Sequence, residues 1–514
     1  MRRIAMVVAA LVLGAGTVTA QEEPRPASPT LAGRVAQGDS AWAREDHPAA
    51  LAAYTAVLRA DSTYSSRAVF RTGLLNAWRN RFGPALAALR LYTRLEPSDA
   101  EGRIALARTY AWASRFPEAL ANYDTVLARD ADYREAVIGR ATTLAWADRI
   151  PEAERAIVAW LDEHPQDSDA WVQVAQFRRW RGAPHAAEAA LLRAQAIAPD
   201  SPEARLQLQW VRADIRPSAS AVVVLAEDSE ANVMSYQEVS GAFVTRSNLR
   251  FTGALRQRQV RLGSSATTRI PGAHAQVQWQ PGGGAWIVRG EAGVVDYPAG
   301  GVSGGSLQGR AALRASGRVG QKLRVGGGVG REPFDEVLTM ADRELMFTVA
   351  DVDLAYAVSP RLTASLAASR GEVGGVGITD GRTTALGAVR WVPRRGTTLA
   401  LTHREVSWDE PAFGIFFAPQ RWMISEASVG WERTAELGLV LGGDLAVGSQ
   451  GVGFGSAPLD RSTAPRAVMR LGWRPRPGRE IVGSIVYANV AGAGTLTASD
   501  YRYGALTLTG RWTF

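Results

Sequence analysis

The chain closes on Ala505-Leu506-Thr507-Leu508-Thr509-Gly510-Arg511-Trp512-Thr513-Phe514. In an extended chain successive side chains point to opposite faces. Leu506, Leu508, Gly510, Trp512 and Phe514 therefore share one face, and Ala505, Thr507, Thr509, Arg511 and Thr513 the other. The same alternation recurs upstream. Leu437, Leu439, Leu441 and Leu445 alternate with Val440, Gly442, Asp444 and Ala446, and Ala273, Ala275, Val277 and Trp279 with His274, Gln276, Gln278 and Gln280. From Pro217 onward the sequence is a run of such segments, each about ten residues long.

The links between these segments differ in length. Short turns fall at Arg246-Ser247-Asn248, Pro281–Gly284, Gly320-Gln321, Ser359-Pro360, Pro393–Gly396, Arg433–Glu436 and Pro475–Gly478. Longer polar or glycine-rich links lie at Arg331–Arg343, Asp409–Gln420 and Ser449–Ser462. Short turns on one side and long loops on the other, with about sixteen strands and both ends on the same side, predict a transmembrane antiparallel β-barrel over 217–514. A soluble sandwich accounts for neither the alternation of turns and loops nor the terminal phenylalanine. Tyr297, Trp391, Trp408, Trp422, Trp431, Trp473 and Trp512 are expected to form aromatic girdles at the two membrane interfaces.

Ahead of the barrel the period changes. Trp42, Trp78, Trp112, Trp146 and Trp180 recur at intervals of 36, 34, 34 and 34 residues, the first four each preceded by alanine. Pro48, Pro84, Pro117, Pro151 and Pro184 follow in step, where proline suits the first turn of a second helix. Ala85, Ala119, Ala153 and Ala187 supply small packing positions, and Pro97, Pro165 and Pro199 end that helix. The unit is similar to the tetratricopeptide repeat, with Leu106, Ala107, Tyr110, Ala119 and Tyr123 matching its pattern. About five units over 30–212 are expected to stack into a solenoid with a concave groove. The first departs from the pattern, with two extra residues and Gln37 where a small residue is expected.

The first twenty residues carry Arg2 and Arg3, an apolar run from Ile4 to Leu13 and the small-residue exit Val18-Thr19-Ala20. They are read as an export signal, with 21–29 as a linker. The chain contains no cysteine, which excludes a lipid anchor on that residue, a disulfide framework and a thiolate zinc site. Its net charge of +8 is carried almost wholly by arginine, spread along the chain rather than gathered, which argues against nucleic acid as a partner.

No catalytic constellation emerges, and no metal or cofactor is expected. His47, His164, His185, His274 and His403 are scattered, and Gly282–Gly284 and Gly326–Gly328 lack the context of a phosphate-binding loop. A barrel esterase using His274 or His403 beside a serine is kept as a third reading. Two sets of residues are singled out. The row Trp42, Trp78, Trp112, Trp146 and Trp180 either packs helices or lines the groove as a stacking ladder. On the polar strand faces stand Arg250, Arg256, Arg289, Glu291, Arg310, Arg314, Arg318, Arg466 and Arg470, with Arg258 and the acids Glu238, Asp351, Asp353, Glu426 and Asp444. Charge on a lipid face costs about 2–4 kcal/mol at mid-membrane, so these are placed in the lumen. There they either brace the barrel in pairs or line a wet conduit for a neutral or anionic solute.

The signal, the Ala-Trp repeats followed by Pro117-Glu118-Ala119 and Pro151-Glu152-Ala153, and the terminal barrel together resemble the YaiO-type outer-membrane barrel family. That family is similar in layout to the poly-N-acetylglucosamine export porin. The resemblance implies an outer-membrane location with the repeats in the periplasm, where they bind an exopolysaccharide or a partner protein that the barrel serves. A barrel used only as an anchor for a recruiting scaffold is the alternative. The end Trp512-Thr513-Phe514 resembles the signal read by the barrel-assembly machinery, implying that machinery as a partner during insertion. One departure is the arginine-rich lumen, where the export porin is expected to be acidic.

Overall fold

The computed structural model describes residues 30–281, 285–300, 302–394, 396–410, 415–435, 437–490 and 501–514. The export signal, the linker and the glycines 282–284 lie outside the described residues.

Eleven helices come first: α1 (Leu31–Ala43), α2 (His47–Ala60), α3 (Ser66–Trp78), α4 (Phe82–Leu95), α5 (Ala100–Trp112), α6 (Phe116–Leu127), α7 (Arg134–Trp146), α8 (Ile150–Glu163), α9 (Ser168–Trp180), α10 (Pro184–Ile197) and α11 (Pro202–Ile215). The tryptophan of each repeat lies at or near the C-terminal end of its first helix. The turn that follows holds a residue in the left-handed region, at Glu45, Asn80, Ser114, Asp148 and Gly182. Proline occupies the first turn of α2, α6, α8 and α10, where no intrahelical N–H is needed.

Packing within the repeats rests on two columns. Ala50, Ala85, Ala119, Ala153 and Ala187 are fully buried, and one turn on so are Tyr54, Leu89, Tyr123, Ile157 and Leu191. The facing small column is Gly38, Gly73, Ala107, Ala141 and Ala175. The first repeat thus keeps its small residue, but at Gly38 rather than Gln37. A Cβ there would come within 2.5 Å of the Tyr54 ring, so the close approach requires glycine.

The chain divides into two compact units, and the division falls between Ala113 and Ser114, inside the repeat array. In the second unit, Asp167 caps α9 through the Ala170 N–H at 3.1 Å, and it accepts from Arg134 at 2.8 Å and from the Trp160 indole at 3.0 Å. Burial alone would raise its pKa, but these donors outweigh burial and hold the carboxyl below its ordinary value. A depressed carboxylate stabilises the fold above the unfolded-state pKa, and that contribution is lost as pH falls through the folded value. Asp167→Ala is expected to cost about 1–3 kcal/mol of stability near neutral pH, and progressively less in acid. Denaturant unfolding of the full chain at several pH values checks this.

After α11, Pro217 cannot extend a helix and the strands begin. They are β1 (Ser218–Asp228), β2 (Asn232–Val244), β3 (Arg250–Leu262), β4 (Thr268–Trp279), β5 (Trp286–Tyr297), β6 (Ser306–Val319), β7 (Leu323–Pro333), β8 (Met346–Ser359), β9 (Leu362–Gly375), β10 (Ile378–Arg394), β11 (Thr397–Trp408), β12 (Arg421–Thr434), β13 (Gly438–Gly453), β14 (Asp460–Thr463), β15 (Arg466–Arg476), β16 (Arg479–Ala488) and β17 (Tyr503–Thr513). Each pairs antiparallel with its neighbour, and β17 pairs with β1 from Ser218↔Thr513 to Asp228↔Tyr503, closing the barrel. Both β14 and β15 pair with β13, so they are two segments of one barrel strand and the circle has sixteen. The expected fold, a helical repeat solenoid followed by an antiparallel barrel of about sixteen strands, is what forms.

The outer wall is apolar: Leu255, Leu307, Leu313, Leu366, Leu401, Val447, Leu471 and Ile485 are each more than half exposed. Exposed aromatics gather mainly at the end where the strands begin: Phe243, Trp279, Trp286, Trp391, Trp431, Trp473 and Trp512. The expected two-ended girdle is therefore corrected to a dense row at one end. Tyr297 and Trp408 are 1% and 5% exposed, and with Trp422 they face the lumen. The turns at the opposite end are also less uniform than expected. Residues 376–377 make a two-residue link there, and β13 and β14 shorten the loop expected over 449–462 to 454–459.

The later repeats touch the barrel at the aromatic end. Gln321 donates to the Ala147 carbonyl at 2.9 Å, Arg318 pairs with Asp148 at 2.5 Å, and the His185 ring lies 3.4 Å from the Val244 carbonyl. Asp148 reaches Arg318 from the left-handed turn of its repeat, so the element that joins two helices also meets the barrel rim.

Candidate functional site

The link between β7 and β8 does not run over the outside. It turns into the barrel and forms a short helix, α12 (Leu338–Ala341), with Met340 and Leu345 fully buried. On one side Ala341 packs against Val260, Ile270, Val295 and Tyr297, the inward residues of β3, β4 and β5. On the other, Val337, Met340 and Leu345 pack against Phe347, Val373, Val406 and Trp408 from β8, β9 and β11. The segment therefore bridges opposite walls of the lumen. Phe416 and Ala418 from the link after β11 join the same cluster, and Thr339 donates to the Ile415 carbonyl.

A polar contact fixes this segment. Asp335 is wholly buried; it accepts from Arg256 at 3.3 Å and forms an ion pair with Arg258 at 2.8 Å. Both arginines are on the inward face of β3, opposite Tyr236 and Glu238 of β2.

The remaining lumen charges divide into two groups. Several are paired: Arg310 with Glu291, Arg314 with both Asp351 and Asp353, and Arg466 with Asp444 at 2.9 Å and Glu426 at 3.3 Å. Gly326 and Gly328 make room for the Arg314 cluster, since a Cβ at Gly326 would meet the Asp353 carboxylate at 2.5 Å. Arg289 donates to Gln278 at 2.9 Å, and Arg250 stands across from Gln278 in register. The bonds made by Arg289, Arg310, Arg314 and Arg466 tie together strands one or two places apart.

The second group forms no ion pair among the described residues: Arg382, Arg390 and Arg404 on β10 and β11, and Arg470 on β15. Arg390 and Arg470 line a lumen cavity of about 730 Å³ with Arg466 and Asp444. Arg382 and Arg404 line another of about 470 Å³, beside the inward segment, with Arg314, Asp351, Asp353, Trp408 and Trp422. The Arg382 guanidinium lies 4.1 Å from the centre of the Phe347 ring and 5.4 Å from that of Trp408. Its Nε and the Trp422 indole N–H are buried without a hydrogen-bond partner among the described residues. Buried donors are normally satisfied, so two facing one cavity are open to a ligand's oxygen atoms. An aromatic face, unpaired arginines and a carboxylate pair together suit a sugar or another polyhydroxylated or anionic solute.

In the repeats, Trp78, Trp112, Trp146 and Trp180 are 49%, 37%, 43% and 39% exposed, while Trp42 is half-buried. Trp42 and Trp78 stack at 5.7 Å between ring centroids, with His47 against both and Arg71 over Trp42 at 4.8 Å. Four of the five rings thus keep more than a third of their surface open.

Residues 112–177 match the family model described as Tetratricopeptide repeat. Among solved structures the chain is similar to one titled as a bacterial polysaccharide outer membrane secretin, at 8% identity over 58% of this chain and 98% of that one, with a TM-score of 0.47. It is also similar to a tetratricopeptide repeat protein from Parabacteroides merdae, at 18% identity over 37% of this chain and 72% of that one, with a TM-score of 0.33. A third is YrrB, titled as a TPR protein with an unusual peptide-binding site, at 18% identity over 34% and 91% with a TM-score of 0.29. No curated protein matches the chain.

Of the lumen residues singled out from sequence, all face inward, but they are spread over the whole lumen rather than joined in one site. Arg318 serves the contact with the repeats. Sequence reading missed Arg382, Arg390 and Arg404, whose signal was present: each shares the parity of the inward residues on its strand. It also missed the inward segment, because a loop of Val337, Leu338, Met340 and Leu345 has no period that says which way it folds.

Proposed function

We propose that the chain is an outer-membrane barrel through which a hydrophilic solute passes, in the first place an exopolysaccharide. In this reading the repeats lie in the periplasm and gather the polymer or a partner protein, and the segment 334–345 holds the lumen shut at rest. The apolar outer wall with its aromatic row supports the membrane placement. The observation that carries the conduit is the lumen cavity, with unpaired Arg382 and Arg404 beside Trp408 and the free Trp422 indole N–H. The YaiO-type resemblance and insertion by the barrel-assembly machinery belong to the same proposal.

The unpaired charges are cationic, so an anionic or neutral passenger is favoured over a cationic one. Titrating the full chain in detergent with acidic, neutral and basic oligosaccharides should show that order of affinity. Arg404→Gln should weaken the acidic ligand by about 0.5–1.5 kcal/mol and leave the neutral one nearly unchanged. Equal binding of all three would remove the role given to the arginines.

A membrane-anchored scaffold is the second reading. It is favoured by the closed inward segment and by the paired charges that brace the wall. It expects a protein ligand for the repeats and no current under any condition.

A further inference from the structure

On the outer wall, a hydrogen-bonded polar cluster spans β11 and β12. The outward residues of β11 run Leu399, Leu401, His403, Glu405 and Ser407 from the aromatic end, and those of β12 run Trp431, Val429, Ala427, Ser425 and Met423. His403 stands directly across from Ser425 in the register. Its Nδ1 lies 2.8 Å from the Ser425 Oγ, and its Nε2 lies 3.3 Å from the Glu405 carboxylate. All three are exposed on the outer face, where the wall changes from apolar to polar. Beside them an apolar groove of about 920 Å³ is lined by Leu354, Leu366, Val389, Leu401 and Val447.

A hydroxyl, an imidazole and a carboxylate in series form a nucleophile, a base and a group that orients the base. Strands place them more rigidly than loops would. Placing His and Glu toward lipid gains nothing for a wall, and a carboxylate is tolerated there only near the interface. That level is where the ester bonds of membrane lipids lie, with their acyl chains running along the groove.

We propose that Ser425, His403 and Glu405 form an acyl-ester hydrolase site on the lipid-facing wall, acting on membrane glycerolipids. The proposal rests on the membrane placement given above but not on the conduit. Ser425 Oγ attacks the ester carbonyl carbon as His403 takes its proton. The bond to the alcohol oxygen breaks, and that oxygen leaves with the proton from His403. Water then attacks the acyl-Ser425 ester, His403 again holding the proton in transit, and releases the fatty acid with Ser425 restored. The net reaction is ester plus water to acid plus alcohol, and Glu405 orients the ring and stabilises its charged form.

The test uses the full chain in mixed micelles of detergent and phosphatidylethanolamine, reading fatty-acid release and covalent labelling by a fluorophosphonate. The expected result is release and labelling by the natural chain, with both lost in Ser425→Ala and His403→Gln. Glu405→Gln should slow release on the order of 10²–10⁴-fold. A soluble p-nitrophenyl ester serves as a second substrate, and the heat-dependent gel shift of a folded barrel reports that each variant folds. A folded, vesicle-inserted chain that neither releases acid above Ser425→Ala nor takes the label would overturn the hydrolase and leave the conduit untouched. Failure to insert into vesicles at all would instead remove the membrane placement under both.

Discussion

Replacing residues 334–345 by a short glycine–serine turn is expected to convert a barrel that carries little current into one with a large, stable conductance. A sixteen-stranded circle is wide enough to hold water once nothing fills it. Among the described residues it is filled by the segment 334–345, with Met340 and Leu345 wholly buried between opposite walls, joined by Phe416 and Ala418 from the link after β11. Its polar anchor is Asp335, buried against Arg256 and Arg258. Removing one partner of a buried ion pair costs about 3–5 kcal/mol, because it leaves the other charge uncompensated. Here the arginines recover water only if the segment leaves. Asp335→Ala should thus shift the docked-to-released ratio by about a hundredfold to several thousandfold, with openings where the natural chain shows none. Single-channel recording of both variants checks this, and continued silence in the excised barrel would mean that the segment is not the gate.

The second large effect is expected at the tryptophans. Trp112 and Trp146 each keep more than a third of their surface exposed, so little core is lost on truncation. The double change to leucine should alter stability by less than about 1 kcal/mol, as surface substitutions do. Stacking on a ligand is worth about 0.5–1.5 kcal/mol per ring. The pair should therefore weaken polymer binding by about five- to a hundredfold, measured by calorimetry on the full chain. Lower stability with unchanged binding would return these rings to a packing role.

The fold was legible where a period repeats many times. Five tryptophans at near-constant spacing and an alternation sustained from Pro217 to Phe514 each have a single physical reading. The errors came where a single residue was judged by type. Judged only as aromatics at strand ends, Trp408 and Trp422 belong at a membrane interface. Counting in twos from the exposed Leu401 puts Trp408 inward, and counting from Ala427 does the same for Trp422. The pairing of His403 with Ser425 was hidden for a different reason. It depends on the register that β11 and β12 adopt across the link 409–420, and no local pattern reports that register. The inward fold of 334–345 depends likewise on walls distant in sequence.

The most direct test of the conduit is block of current through the full chain with residues 334–345 excised, as an acidic oligosaccharide is added from the side of the repeats. The expected result is an open current that is interrupted by the acidic glycan, more weakly by a neutral one, and least by a basic one. A folded, inserted barrel that stays silent, or one whose current no glycan changes, would contradict the conduit and leave the barrel as an anchor for the repeats.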